Sequence, residues 1–188
     1  MCGRYEFDPE SGSPAVQRLL GRLRGKWPDL MPVAGKREVC PGEKVAALVA
    51  GEGAKAALLP LQWGMVAGNR LVINARAETV ASRPMFREAF RGRRCALLAT
   101  GFYEWSPAPE HKKVLFRLQG AQEMCLAGIY DADGRFAVVT LPAEAPVAAI
   151  HPRMPLVLHL SDLVRWLTDE TYARHRLLSG SPPLAAIE

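Results

Sequence analysis

The sequence predicts an α+β fold, in which short helices flank a largely antiparallel, barrel-like β core within a single domain. Eight short apolar runs bounded by Gly or Pro predict the β core, and one long amphipathic stretch predicts a surface helix. A length of 188 residues suits one domain that buries a core without disulfides. We expect this domain to cover residues 1–180 and residues 181–188 to form a loose C-terminal tail.

The predicted strands share short length, apolar content and flanking turn residues. They cover residues 45–50, 56–63, 71–74, 95–99, 114–118, 124–130, 136–141 and 156–160. At this density, with few residues between successive strands, most neighbours should pair antiparallel.

The helices are predicted from caps and from helical spacing. Ser13 is a candidate N-cap and Pro14 suits the first helical position, after which apolar residues recur at helical spacing as far as Lys26: Val16, Leu19, Leu20 and Leu23. Shorter helices are predicted over residues 84–90, 142–149 and 161–178, the last capped by Ser161.

The composition, with 49% hydrophobic and 23% charged residues, is typical of a globular protein. No apolar run approaches the roughly 20 residues of a membrane helix, and the first ten residues lack the apolar centre of a secretory signal. We therefore expect a cytoplasmic, nucleoid-associated protein. The four cysteines are widely spaced, without C-x-x-C pairs or histidines at ligand spacing, which predicts neither a zinc site nor a disulfide framework.

The positive charge is concentrated in the first half of the chain. Residues 1–95 contain 16 Lys and Arg against 9 Asp and Glu, whereas residues 96–188 contain 8 against 10. Arginine guanidinium groups form paired hydrogen bonds with phosphate oxygens, so an arginine cluster is a candidate phosphate-binding surface. Five arginines lie within residues 83–94: Arg83, Arg87, Arg91, Arg93 and Arg94. The alternative is a solvated basic face.

Cys2 offers a chemistry that no internal residue has, once Met1 is removed. The small side chain of Cys2, the residue that follows Met1, should permit this removal. Its α-amine (ordinary pKa about 8) and its thiol (about 8.5) are then both partly nucleophilic at neutral pH. Such a 1,2-aminothiol condenses with an aldehyde, first as a Schiff base and then as a five-membered thiazolidine ring, and the thiol could also attack an acyl group. The alternative is a cysteine without function at a frayed terminus.

Two further segments place polar residues at the ends of apolar runs. In residues 73–79, Asn74 can exchange hydrogen bonds with a sugar hydroxyl and Arg76 could reach a phosphate, although a helix cap with an exposed ion pair fits as well. In residues 101–105, Glu104 stands among aromatics, where desolvation would raise its pKa and suit it to proton transfer. Strand alternation could instead leave Glu104 in solvent.

His151 lies in a loop that two prolines stiffen, because Pro152 and Pro155 each push the preceding residue out of helical geometry. An imidazole held in this way, with an ordinary pKa near ~6.5, can carry protons through imine formation. A solvated loop histidine is the alternative.

Four sequence blocks, MCGRY, INARAET, GFYEW and the H-x-R-M-P loop, together resemble the SRAP family in order and spacing. These are SOS response-associated peptidase-like proteins, also called abasic-site processing proteins. The resemblance implies binding to single-stranded DNA at abasic sites and a covalent thiazolidine cross-link that protects the lesion during the DNA damage response. It also implies a largely single-turnover reaction, lyase and autoproteolytic activities as attributed to the family, no cofactor or metal, and no membrane partner.

The same resemblance assigns roles to individual residues. Cys2 would be the nucleophile and covalent anchor, and Asn74 would position the opened sugar. Glu104 would assist ring opening and proton transfer, and His151 would carry protons in imine formation and ring closure. Phosphates on either side of the lesion would be bound by three arginines, each close in sequence to one of these residues: Arg4, Arg76 and Arg153.

The sequence departs from the family pattern at two places near these residues. Pro152 stands where the family usually has Asp, which removes a carboxylate that could orient His151. Residues 64–69 form a short stretch without the tryptophan that family members often place there. A base-stacking platform worth about 1–3 kcal/mol per base would then be missing, unless Trp63 or Phe102 substitutes.

Two other functions remain open from the sequence. One is a cysteine peptidase or amidase that uses Cys2 with His151. The other is a noncatalytic module that binds single-stranded DNA. A free amine on Cys2 separates these alternatives from cross-linking, because only thiazolidine formation needs it.

Overall fold

The computed structural model describes residues 2–8, 13–26, 38–107 and 109–187. Six side chains within residues 15–26 and the side chain of residue 54 lie outside this description. Met1 and its predicted removal lie outside the described residues. The strands of this part of the chain are β1 (Tyr5–Glu6), β2 (Glu38–Val39), β3 (Lys44–Ala50), β4 (Ala56–Trp63), β5 (Met65–Ala67), β6 (Arg70–Val72), β7 (Asn74–Arg76), β8 (Arg94–Ala99), β9 (Gly101–Trp105), β10 (Lys113–Leu118), β11 (Met124–Tyr130), β12 (Arg135–Pro142), β13 (Arg153–Pro155), β14 (Val157–Leu158) and β15 (Leu184–Ile187).

Five of these strands form an antiparallel sheet in the order β15-β10-β9-β1-β2. Tyr5 in β1 pairs with Val39 in β2 on one side and with Phe102 in β9 on the other. The two-residue strand β1 is therefore held between two neighbours, and it fixes the start of the described chain against β9.

A second sheet closes into a ring of strands. Its order is β13-β12-β4-β3-β8-β11-β14, and β12 also pairs with β11 and with β7. The link between β12 and β4 is parallel and consists of two residue pairs. The other links among β3, β4, β8 and β11 are antiparallel, with seven residue pairs between β3 and β4, six between β8 and β11, and two between β3 and β8. The predicted single-domain α+β fold with a largely antiparallel core is confirmed.

The aromatic core of the ring positions the strand that carries Asn74. Trp63 stacks on Phe136 at 5.9 Å between ring centroids and tilts against Tyr5 at 5.6 Å. Its indole Nε1 donates to the carbonyl oxygen of Ile73 at 2.9 Å. The indole therefore fixes the backbone one residue before Asn74.

The helices of the described residues are α1 (Pro14–Lys26), α2 (Ala77–Val80), α3 (Pro84–Gly92), α4 (Leu163–Thr168) and α5 (Glu170–Arg176). The helix predicted after Ser13 is confirmed, with Val16 and Leu20 buried, while the side chains of Leu19 and Leu23 lie outside the described ones. The helix predicted over residues 84–90 is confirmed as α3. None of the helices in the described residues has the length and apolar character that a membrane crossing needs.

Two helix predictions were wrong in extent. Residues 161–178 do not form one helix, because the chain breaks at Asp169, whose carboxylate accepts from the backbone N–H of Tyr172 and caps α5 in the role predicted for Ser161. Residues 142–149 contain only the 3₁₀ turn Val147–Ala149. Strand β12 extends to Pro142, and Pro146 lacks the N–H that a continuous helix would need.

The strand predictions differ from the structure mainly at the ends of the chain and in its short elements. Six predicted strands agree within one residue with β3, β4, β8, β10, β11 and β12. The run 71–74 is divided between β6 and β7, and 156–160 is reduced to the two residues of β14. The predicted loose tail contains strand β15, in which Leu184 is buried and pairs with Leu118 of β10.

Candidate functional site

Cys2 lies in a buried segment that runs beside strand β9. The backbone N–H of Tyr103 donates to the carbonyl oxygen of Arg4 at 2.9 Å, which extends the pairing of β1 with β9 toward Cys2. Cys2 is 0% exposed, and its thiol donates to the same Arg4 carbonyl at 3.8 Å. The alternative of a frayed terminus is therefore wrong for Cys2.

The environment of Cys2 keeps its thiol protonated. Burial, followed by the nearby Glu104 carboxylate, raises the pKa of the Cys2 thiol to about 12. Desolvation disfavours the thiolate in this structure, whereas partial ionisation of the thiol beside a free α-amine stays a prediction. A reaction at this sulfur needs a group that accepts its proton.

Glu104 faces inward from strand β9. It is 2% exposed, whereas its neighbours Tyr103 and Trp105 are partly exposed, so the alternative that left Glu104 in solvent is wrong. Burial raises the pKa of Glu104, and the positive charge of His151 acts in the opposite direction. A carboxyl group with a raised pKa can exchange a proton nearer to neutral pH than an exposed one.

Asn74 joins the ring of strands to the Cys2 segment. It begins β7, where it pairs in parallel with Val138 of β12. Its Nδ2 donates to the carbonyl oxygen of Cys2 at 3.0 Å. Its Oδ1 is buried and accepts no hydrogen bond from the described residues. Buried polar atoms usually have a partner, so this oxygen is a candidate acceptor for a bound hydroxyl group.

His151 is held by the backbone of Arg153. The N–H of Arg153 lies 3.0 Å from Nδ1 of His151, and the carbonyl oxygen of Arg153 lies 3.0 Å from the same nitrogen. The His151 backbone N–H donates to the Val147 carbonyl at 2.9 Å. The loop histidine is thus ordered on both its backbone and its ring, in agreement with the stiff loop that the prolines predict.

Four predicted residues converge from distant parts of the sequence. Asn74 bonds to Cys2 directly, Glu104 raises the pKa of the Cys2 thiol, and His151 acts on the pKa of Glu104. We refer to these four residues, Cys2, Asn74, Glu104 and His151, as the site cluster. Their catalytic roles stay predictions, but their proximity makes a joint reaction geometrically reasonable.

The three predicted phosphate-binding arginines differ in their ion pairing and in their exposure to solvent. Arg4 pairs with Glu38 at 2.9 Å and lies over the Trp105 ring at 5.5 Å, with 37% of its side chain exposed. Arg153 pairs with Glu78 and is 14% exposed. Arg76 is exposed and lines an open cavity. DNA contact by each of them remains a prediction, and Arg76 is the most accessible of the three.

An open cavity of about 630 Å³ adjoins the site cluster at Asn74. Beside Asn74, its lining combines polar, basic and aromatic side chains: Arg76, Thr79, Ser82, Arg83 and Phe86. The Arg83 guanidinium lies 5.6 Å above the Phe86 ring. Arg83 belongs to the arginine cluster noted in the sequence, and the cavity connects this cluster to Asn74.

The two proposed substitutes for a missing stacking tryptophan are both buried. Trp63 and Phe102 are 0% exposed, and both are packed against other aromatic rings of the core. Neither can stack on a DNA base in this structure. Partly exposed aromatic rings are instead found at Tyr103 and Trp105, where Lys113 lies 4.0 Å above the Tyr103 ring.

The sequence model of the family described as SOS response associated peptidase (SRAP) matches residues 1–186. The chain belongs to the SRAP family. All four site-cluster residues fall within the matched range, as do Arg4, Arg76 and Arg153.

Curated relatives of this SRAP chain are named abasic site processing proteins. YobE of Bacillus subtilis is 29% identical, and the alignment covers 95% of this chain and 89% of the relative. YedK of Escherichia coli K12 is 32% identical, with 90% of this chain and 81% of the relative covered. The similarity to both extends over nearly the whole chain.

Solved structures share the fold of this SRAP chain. A protein from Bacteroides thetaiotaomicron superposes with a TM-score of 0.72 at 18% identity, covering 100% of this chain and 92% of the other. A phage-related protein from Bordetella bronchiseptica gives a TM-score of 0.69 at 23% identity, covering 100% and 94%. At these identities the comparison shows the fold alone.

Sequence reasoning missed the carboxylates that hold the arginines. Glu38 accepts from both Arg4 and Lys113, and Glu78 accepts from Arg153. Glu78 lies within one SRAP block and Arg153 within another, a signal that could have suggested contact between the blocks. Among the described residues, no group of three or more His, Cys, Asp and Glu side chains could hold a metal ion.

Proposed function

We propose that this SRAP protein binds single-stranded DNA at abasic sites and forms a covalent thiazolidine cross-link with the opened sugar through Cys2. The observation that carries the proposal is the convergence of Asn74, Glu104 and His151 on a cysteine that becomes N-terminal when Met1 is removed. The names of the curated relatives, which are abasic site processing proteins, support the same substrate.

The reaction balances without an oxidant or a metal. The Cys2 amine adds to the C1′ aldehyde of the open deoxyribose, and loss of one water gives an imine. The thiol sulfur then adds to the imine carbon, its proton passes to the nitrogen, and the five-membered ring closes. The product is DNA plus protein less one water molecule.

The site cluster has groups suited to each proton transfer. Glu104, whose pKa burial raises, can protonate the departing oxygen of the sugar or of the carbinolamine. The imidazole of His151 can accept and return a proton, and it is held close enough to act on Glu104. The buried Oδ1 of Asn74 can accept from a sugar hydroxyl.

The protonated state of the Cys2 thiol suits this order of steps. A thiol with a pKa of about 12 stays neutral while the amine attacks, and it can deliver its proton to nitrogen when the ring closes. A cysteine peptidase needs the opposite, a thiol whose pKa is lowered by a paired imidazolium. The buried Cys2 thiol therefore favours cross-linking over peptidase or amidase chemistry.

The DNA backbone would follow a line of exposed arginines that starts beside Asn74. Arg76 and Arg83 line the cavity next to Asn74, and Arg87 and Arg91 follow Arg83 at intervals of four residues. Residues four apart lie on one helix face, so Arg87 and Arg91 share a face of α3 and continue the line that begins at Arg83, the N-cap residue of this helix. Phosphates spaced along a single strand match such a stripe of guanidinium groups.

A gel assay tests the proposal directly. Protein freed of Met1, as verified by intact mass, is incubated with a single-stranded oligonucleotide that carries one abasic site. We expect a covalent adduct that survives heating in denaturing gels, and none with an oligonucleotide of undamaged bases.

The matched controls are two alanine variants of buried cysteines. Cys2→Ala should form no adduct, and Cys125→Ala should form it at the wild-type rate, because Cys125 lies in an apolar strand away from the site cluster. An adduct with Cys2→Ala as strong as with wild type would refute the proposal.

A further inference from the structure

One residue, Arg153, can bind the His151 ring in both of its protonation states. When the ring is neutral with its proton on Nε2, Nδ1 accepts from the Arg153 N–H at 3.0 Å. When the ring is charged, Nδ1–H can donate to the Arg153 carbonyl oxygen, also 3.0 Å away. The position of the Arg153 backbone therefore decides the orientation of the imidazole before and after proton transfer.

The Arg153 backbone is fixed in part by strand pairing. Arg153 begins β13, where it pairs with Pro142 of β12. The N–H of Ala143 donates to the carbonyl oxygen of Pro152 at 3.0 Å. Because β13 lies at the edge of its sheet, strand pairing holds Arg153 from one side only.

The Arg153 side chain provides the remaining anchor through Glu78. Both guanidinium Nη atoms bond to the Glu78 carboxylate, and Nη2 reaches the second oxygen at 2.9 Å. Nη2 also donates to the carbonyl oxygen of Thr140 at 2.6 Å. A bidentate guanidinium–carboxylate pair fixes direction as well as distance, so it restrains the whole residue. The Arg153 bond lowers the pKa of Glu78, which keeps this carboxylate charged.

Glu78 connects two parts of the site cluster. It lies on the short helix α2, which follows directly after strand β7 with Asn74. Through Arg153 it reaches the loop of His151. The pair therefore adds a side-chain link, beside the pairing of β7 and β13 with β12, between the segment that carries Asn74 and the loop that carries His151.

We propose that Glu78 is a positioning residue for proton transfer by His151, acting through the Arg153 side chain and backbone. This rests on the proposed function, in which His151 carries protons during cross-linking. It also accounts for Pro152: the backbone of Arg153 orients the imidazole, a task that the carboxylate usual at position 152 in the family could perform.

The test compares Glu78→Gln with Glu170→Gln, because Glu170 is also an ion-paired helix glutamate, bound to Arg174 at 2.7 Å on α5. We expect Glu78→Gln to slow adduct formation roughly ten- to a hundred-fold, since small misplacements of a catalytic group have effects of this size. Glu170→Gln should react at the wild-type rate. In the His151→Ala background, Glu78→Gln should cause no further loss, because the two residues act through one step. An equal loss in both backgrounds would overturn the proposal.

A second measurement does not depend on the reaction. Ring nitrogen chemical shifts of His151 report its tautomer, and we expect one predominant Nε2–H tautomer of the neutral ring in wild type and a mixture in Glu78→Gln. Unchanged ring shifts in Glu78→Gln would refute the positioning role, even if the adduct never forms. If His151→Ala reacts at the wild-type rate while the shifts change as expected, the role of His151 in the proposed function fails and the positioning by Glu78 stands.

A measurement of DNA affinity tests whether Glu78 positions His151 or instead keeps Arg153 from binding a phosphate. With an unreactive tetrahydrofuran analogue of the abasic site, we expect Glu78→Gln to bind within about twofold of wild type, because the proposal assigns Glu78 no contact with DNA. Tighter binding by Glu78→Gln with unchanged reaction rate would show that Glu78 masks a phosphate ligand, Arg153, and would contradict the proposal.

Discussion

Cys2 and Cys125 are both fully buried, and burial is the main reason that the pKa of each thiol is raised to about 12. Cys125 lies in β11 between Leu98 of β8 and Leu158 of β14, within the apolar ring. Cys2 lies beside the carboxyl of Glu104 and bonds to Asn74 through its carbonyl. Burial and pKa are therefore alike, and the neighbouring side chains distinguish the two sites.

The difference shows where the fold contains buried polar groups that oppose folding. Burying a carboxyl group, or an amide oxygen without a partner, opposes folding, whereas apolar neighbours around a thiol favour it. Glu104 is 2% exposed and Asn74 Oδ1 has no partner in the described part of the chain. Groups of this kind are expected where function requires them. The surroundings of Cys125 need only a packing explanation.

The largest expected effect comes from removing the Glu104 charge beside Cys2. Glu104→Gln should slow adduct formation about 100-fold or more, because an amide cannot donate or accept the proton that the reaction moves. Rates from quenched gel time courses measure this, with Glu170→Gln on α5 as the ion-paired control. A rate within threefold of wild type would show that the polar surroundings of Cys2 do not contribute chemically.

The same substitution should stabilise the fold at neutral pH. Burial raises the folded-state pKa of Glu104 above its unfolded value, so the folded protein binds more protons in that window. The free energy of unfolding therefore falls as pH rises through the window in wild type. Glu104→Gln should remove this fall, which urea unfolding at a series of pH values measures. Lower stability of the variant at neutral pH would contradict the claim that the buried Glu104 carboxyl destabilises the fold.

An intermediate effect is expected on the arginine stripe that extends from the cavity beside Asn74. Replacing Arg83 and Arg87 by alanine should weaken binding to unreactive abasic DNA several-fold. The slope of log affinity against log salt should decrease by about 0.7 for each lost phosphate contact. The control is Arg18→Ala, an exposed arginine on α1. Equal salt slopes for the stripe variant and the wild type would remove α3 from the DNA path.

A smaller effect is expected at the apolar thiol. Cys125→Ala leaves a small space in a fully buried strand, and we expect a loss of about 1 kcal/mol in the free energy of unfolding. The adduct rate should stay at the wild-type value once folding is complete. A slower reaction in folded Cys125→Ala would mean that the apolar surroundings of Cys125 affect the chemistry at Cys2.

The smallest effect concerns a surface carboxylate with the opposite pKa shift. The hydrogen bond from Lys113 lowers the pKa of Glu38, and Arg4 adds to the effect. Its stabilising contribution is present at neutral pH and is lost as pH falls below its ordinary value of 4.5. The stability difference between wild type and Glu38→Gln should therefore shrink in acid, as measured by thermal unfolding. A difference that grows in acid would contradict this sign.

The sequence was most informative where its signal was long or chemically unusual. Six strands agreed within a residue because each is a run of at least five mainly apolar residues. The site cluster was predicted from residues that interrupt such runs and from the family resemblance. The structure brings the four residues together, although 72 positions separate Cys2 from Asn74.

The remaining features depend on contacts that a linear pattern does not contain. Strands β1 and β2 have two residues each, too few for a periodic signal, yet β1 pairs with β2 and β9, and the preceding Cys2 is fully buried. The raised pKa of its thiol follows from that burial. The pairing of Glu78 with Arg153 joins residues 75 positions apart and replaces an orienting role that the sequence pattern had assigned to a side chain at position 152.

The most direct test of the account is the intact mass of the product formed with a free and with a covered Cys2 amine. Protein freed of Met1 and mixed with abasic single-stranded DNA should give a species with the summed mass of the two less one water molecule. A variant with one alanine inserted ahead of Cys2 should give none, because it has the thiol but not the adjacent amine. The same adduct from the extended variant would contradict the thiazolidine mechanism.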